Sequence, residues 1–178
     1  MRSRCRLLRE TALIAQIAFL MPFFTPSLLA DERVNSDAVI EGRIQSLVET
    51  LKSRLQLTPA VVVTIVPSNA LMMSVEAPTD PKKAFTLSID ANFLGTLADD
   101  ELEAAIAHEL GHVWIFTHHP YLQTEELANQ IAMRAVTRAS LERVYAKVWE
   151  RGGTKGDLAR FLGEGPPAAA GLATDSTR

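Results

Sequence analysis

Between residues 34 and 57, the apolar residues Val34, Ala38, Ile40, Ile44, Leu47, Val48, Leu51 and Leu55 recur at spacings of three and four. That period predicts an amphipathic helix with one buried stripe, ended by Thr58-Pro59. The pattern then changes. Residues 60–66 (AVVVTIV) form an unbroken β-branched run and predict a buried strand. Pro67, Ser68 and Asn69 signal a turn, residues 70–75 predict a second strand, and 77–83 (APTDPKK) a loop. The alternation over 84–89 predicts a third strand. A helical period returns near Leu97, where Asp99 and Asp100 supply the negative charge that favours a helix N-terminus. Leu102, Ala105, Ile106, Leu110, Val113 and Trp114 trace its core-facing stripe towards His118. Pro120 cannot continue that helix but suits the first position of a new one, and Leu122, Leu127, Ile131 and Ala135 follow at helical spacing. A further helix is expected over 141–149, with Gly152-Gly153 closing the ordered region.

A helix, three short strands and a run of helices define an α+β fold, in which the helices cover a small sheet. The chain is 178 residues long and 47% apolar, which suits one globular domain. A net charge of -3, with no basic tract beyond residue 9, argues against nucleic-acid binding. Arg2, Arg4, Arg6 and Arg9 precede an uncharged stretch over 11–30, the layout of a secretory signal with cleavage after Ala30. The alternative is an uncleaved anchor, because about twenty apolar residues span a bilayer. Only then would the protein contact a membrane. Either way the body is expected to be exported, to the periplasm in a Gram-negative cell and otherwise outside. The expected boundaries are a signal at 1–30, a domain at 31–162 and a mobile Gly/Pro/Ala-rich tail at 163–178. Without residues 1–30 the chain keeps 14 basic and 20 acidic residues, a net of -6.

The sole cysteine, Cys5, lies in the signal segment, so a metal in the body must be held by histidine and carboxylate. All four histidines lie within residues 108–119. His108-Glu109-Leu110-Gly111-His112 is an HExxH motif inside a helix whose flanks, Ala104–Ala107 and Val113–Ile115, are apolar. Residues four apart share a helix face, so both imidazoles reach one ion, and Glu109 stands beside them as a general base for water. Buried unsatisfied, these groups would carry a large desolvation cost.

The third ligand follows from geometry. For a helix ending at His118 and an antiparallel one starting at Pro120, His112 lies about 9 Å before the corner and Glu125 about 7.5 Å after it. Asn129 and His108 then lie about 13.5 and 15 Å from the corner, so the Asn129 oxygen can accept the non-ligating N–H of His108. Glu126 competes with Glu125, but Ala128, Asn129 and Ala132 share the flank of Glu125. His118 has the spacing of the metzincin pattern HExxHxxGxxH, yet Ile115 replaces the turn-forming glycine. His118 and His119 are therefore read as residues of the helix C-terminus.

Residues 89–132 resemble the gluzincin zinc metallopeptidases, in particular the Ste24- and HtpX-like M48 family in a minimal single-domain form. The resemblance rests on Ile89-Asp90-Ala91-Asn92-Phe93-Leu94, on the Asp100-Glu101-Leu102 and Ala105–His112 run, and on Glu125-Glu126-Leu127-Ala128-Asn129, with Asn69-Ala70 similar to the family's edge hairpin. The Glu-x-x-Ala-Asn segment also occurs in the ImmA/IrrE group. The family implies His108, His112 and Glu125 as zinc ligands, Glu109 as general base, and hydrolysis of peptide or unfolded-protein substrates. An extended peptide is expected to pair with a strand edge, at 70–75 or 84–89. Asn129 departs from the family's aspartate, which predicts weaker support of His108. Arg134, Arg138 and Tyr145 are the candidates for an oxyanion stabiliser. The alternative function is a zinc-stabilised binding or chaperone-like module that keeps the fold without turnover.

Overall fold

The computed structural model describes residues 27–163, with side chains described from residue 38. Residues 1–26 of the signal expected at 1–30, and all of the expected tail except Gly163, lie outside the described residues, while residues 27–30 belong to α1. The element order is α1 (Ser27–Leu55), β1 (Val61–Val66), β2 (Met73–Glu76), β3 (Phe85–Asp90), α2 (Ala91–Leu94), α3 (Asp99–His118), α4 (Glu125–Ala132), α5 (Arg138–Gly152) and α6 (Leu158–Leu162). The fold is α+β. Among the described residues, no helix is long and apolar enough to cross a membrane.

α1 buries the stripe Ile44, Val48, Leu51 and Leu55. It stops at Leu55 rather than Leu57 because Gln56 takes a left-handed φ of 57° and the Leu57 N–H bonds back to Lys52 O at 2.9 Å. The sheet order is β1-β3-β2, with β1 parallel to β3 and β2 antiparallel to it. Phe85, Leu87 and Ile89 of the central strand point into the core with Val61, Val63 and Met73. The segment at 84–89 is thus not an edge, which corrects one of the two edges expected to take a peptide. The outer edge of β1 is also occupied. Gln45 of α1 donates to Val61 O and accepts from Val63 N–H, and Glu41 accepts from Ile65 N–H. The outer edge of β2 stays open beside α3.

α2 was not legible in the pattern. Asp90 ends β3 and caps α2 by accepting from Phe93 N–H at 2.8 Å, which turns the chain and buries Phe93. The two Asp90 oxygens also accept from Asn69 N–H and Arg151. These contacts, with the Phe93 N–H the largest, hold its carboxyl below the usual aspartate range.

α3 is the central helix. It buries Ala104, Ile106, Ala107, Leu110, Val113 and Ile115 against the sheet and its neighbouring helices. Glu101 secures its N-terminus by accepting from Ala98 N–H and pairing with Lys147.

Three boundaries differ from expectation near the site. Pro120 does not open the next helix; residues 119–124 form a turn, and Thr124 caps α4 by accepting from Leu127 N–H at 3.2 Å. α4 also ends at Ala132 rather than Ala135, and Thr137 caps α5 three residues earlier than the apolar pattern implied. Nor does Gly152-Gly153 end the ordered chain. Gly153 is the left-handed cap of α5 (φ 63°), after which α6 returns to bury Leu162.

Candidate metal centre

His108 and His112 leave one face of α3, with ring centroids 4.9 Å apart and the planes edge to face. α4 presents its first residue to them. Glu125 Oε2 lies 3.1 Å from His108 Nε2, and Oε1 lies 3.5 Å from His112 Nε2. One ligand atom from each of the three residues lies within 4.8 Å of the others. Ligands at about 2.05 Å from a tetrahedral zinc sit about 3.3 Å from one another, and each His–Glu separation, one through each carboxylate oxygen, is near that length.

This convergence depends on a close helix crossing. Gly111, between the two histidines, lies against the α4 backbone, and a Cβ there would sit 2.4 Å from Ala128 O. No side chain fits between α3 and α4 at that point.

The hydrogen bonds behind the imidazoles decide which nitrogens face the centre. Asn129 Nδ2 lies 2.8 Å from Phe161 O, a carbonyl that only accepts, so the amide nitrogen must point there. Asn129 Oδ1 then faces His108 Nδ1 at 2.8 Å and can only accept, so Nδ1 carries a proton and Nε2 is the nitrogen that faces Glu125. Gln123 repeats the pattern. Its Nε2 faces His112 O at 3.5 Å, and its Oε1 accepts from His112 Nδ1 at 3.0 Å. With both Nδ1 atoms bonded to acceptors, two Nε2 atoms and a carboxylate converge on one point. Such a set of nitrogen and oxygen ligands fits a divalent cation. Without the ion, bonding to the imidazoles holds the Glu125 carboxyl well below the usual range. Burial presses the His112 pKa down, but its bonds to Glu125 and Gln123 outweigh this and leave it raised.

Glu109 is buried at 8% exposure, and burial pushes its carboxyl above the usual range while His108 and His112 pull the other way. The backbone N–H of Val75, in the edge strand β2, also acts to lower it. A cavity of about 450 Å³ opens at this point. Met73, Phe93, Leu141, Val144 and Val148 form apolar walls, and the His–His–Glu cluster with Glu109 forms the polar end.

The other sequence candidates fall elsewhere. Glu126 is on the exposed side of α4 and accepts from Gln130. His118 stacks on Trp114 with centroids 4.1 Å apart and its Nδ1 2.8 Å from Trp114 O, at the helix end as expected. Arg134 covers the Trp114 ring, and Arg138 donates to Leu162 O and Gly163 O. Of the three oxyanion candidates only Tyr145 borders the cavity, its hydroxyl 3.5 Å from Glu125 Oε2 and 2.7 Å from Asn129 Nδ2. Burial raises its pKa. The sequence pattern does not single out Gln123 or the Phe161 carbonyl: one sits in an irregular turn, and the other acts through its backbone. The aromatic spacing of Tyr145, Trp149 and Phe161 was the available signal for the second.

No protein-family model and no curated protein matches the chain. Among solved structures it is similar to the crystal structure of the metallopeptidase zymogen of Pyrococcus abyssi abylysin, with a TM-score of 0.47 and 16% identity, covering 64% of this chain and 99% of that one.

Proposed function

We propose that the protein is an exported zinc metallopeptidase of the gluzincin type that hydrolyses peptide bonds in peptide or unfolded-protein substrates. The observation that carries the proposal is the convergence of His108 Nε2, His112 Nε2 and the Glu125 carboxylate beside a buried Glu109 at one end of an apolar cavity. A zinc ion held by these three residues supplies Lewis acidity that polarises a carbonyl and acidifies water.

The remaining work falls to the chain. Glu109 takes the proton of the attacking water and returns it to the leaving amine. The open edge of β2 pairs with an extended peptide, since β3 is central and the outer edge of β1 is bonded to α1. The apolar walls exclude water and receive a substrate side chain. Tyr145 is the hydroxyl donor nearest to the ligand set among the three oxyanion candidates.

Zinc analysis and cleavage of a denatured protein by the purified chain test this reading. Glu109→Gln should keep the metal and lower cleavage by about 10²–10⁴-fold. Zinc-free protein, or cleavage untouched by the substitution, overturns the proposal. Zinc without any cleavage points to the binding module instead.

A further inference from the structure

Asn129 is fully buried, and its side chain makes three hydrogen bonds. Its oxygen accepts from His108 at 2.8 Å. Its nitrogen donates to the Tyr145 hydroxyl at 2.7 Å and to the Phe161 carbonyl at 2.8 Å. A phenol can donate or accept, so Tyr145 would tolerate either an amide or a carboxylate. A backbone carbonyl has no such freedom. An aspartate at this position would set a carboxylate oxygen against Phe161 O, where two acceptors repel.

The carbonyl that imposes this choice is itself held firmly. Arg138 donates to Leu162 O and Gly163 O at 2.8 and 2.9 Å, just beyond Phe161. Leu162 is 3% exposed, and the Phe161 ring packs on Tyr145 and Trp149 with centroids 5.3 and 6.0 Å away. Gly156 lets the connecting turn lie on Trp149, because a Cβ there would meet the indole at 2.2 Å.

We propose that Asn129 is a positioning residue that must be an amide in this chain, and that α6 readies the metal centre by orienting it through the Phe161 carbonyl. Asn129 is then not a weakened aspartate. α6, thirty-two residues further along the chain, fixes the proton of His108 on Nδ1 and leaves Nε2 free for the ion. The inference rests on reading the centre as a zinc site, and it reverses the sign expected from the family pattern. Restoring the acid should weaken the site.

The test compares the full-length wild type with Asn129→Asp, using zinc affinity from competition with a chromophoric chelator and melting of the metal-free proteins. The variant should bind zinc about 10–100-fold more weakly and melt lower without metal. Val48→Ala, a core change in α1 remote from the centre, should lower the melting temperature yet leave zinc affinity within about twofold of wild type. Hydrogen exchange of the wild-type Asn129 side-chain amide supplies a measurement that needs no variant, and both protons should be protected. Equal or tighter zinc binding by Asn129→Asp, or an amide exchanging as fast as an exposed one, overturns the inference. If wild type binds no zinc, the peptidase reading fails, while amide protection and metal-free melting still decide the orientation of Asn129.

Discussion

The contact at Gly111 gives the sharpest prediction, because it separates metal binding from folding. Gly111→Ala adds one methyl group that would sit 2.4 Å from Ala128 O and 2.9 Å from Ala128 C and Cα. These are backbone atoms of a helix, so relief requires α4 to move as a body by about 1 Å to regain ordinary contact. Overpacking of this kind costs about 1–3 kcal/mol, and alanine returns about 1 kcal/mol in helix propensity. The net loss is about 0–2 kcal/mol, or at most about 6 °C of melting temperature at roughly 3 °C per kcal/mol. The metal centre is far less tolerant. Glu125 begins the same helix, and ligand distances must hold to about 0.2 Å. Zinc affinity should therefore fall tenfold or more. With zinc at a hundred times the wild-type Kd, binding adds about 2.7 kcal/mol to wild-type stability and about 1.4 kcal/mol to a variant that binds tenfold more weakly. Thermal melts with and without zinc read this directly. A variant whose zinc-induced shift equals that of wild type would refute the claim that the helix crossing sets the ligand geometry.

Gln123→Ala removes the acceptor at His112 Nδ1 and should weaken zinc binding about tenfold with little change in metal-free stability; an unchanged affinity in a chelator titration would show that His112 needs no such support. Asp90→Asn tests the acid sensitivity of the α2 turn. The Asp90 pKa is depressed below 3.8 in the folded protein, so its charge stabilises the fold above the unfolded value and that contribution disappears as the pH falls through the folded value. Urea unfolding should show the wild type more stable than Asp90→Asn at pH 7, with the gap closing below about pH 4; a gap independent of pH would remove the charge from the explanation.

The sequence was most readable where one period dominated. The apolar runs located all three strands, the long α3 and the C-terminal end of α1 to within a few residues, because burial of one face leaves its spacing in the chain. α1 itself starts at Ser27, seven residues before the expected start at Val34. Strand order was another matter. Nothing local to residues 84–89 reveals that they lie between β1 and β2, since pairing depends on partners distant in the chain. Glu125 was placed opposite the histidines on the assumption of a helix starting at Pro120, whereas the observed helix starts at Glu125 itself. The spacing from His112 was short enough that both routes bring the carboxylate to the same pair of imidazoles. Thr124, a good capping residue directly before Glu125-Glu126, was the clue to the true boundary. Gln123 and Phe161 lay beyond such reasoning, because their roles come from a turn conformation and from a backbone oxygen. The double glycine after α5 reads as a terminus, yet Gly153 supplies the left-handed cap that turns the chain back towards the site.

The bonds from Gln45 and Glu41 to the rim of β1 also bear on how copies of this protein meet. Fibrils that grow by sheet extension need two unsatisfied margins per molecule, one to give and one to receive. Here α1 has consumed one of them. Sheet extension from this protein would therefore have the β2 margin alone to grow from.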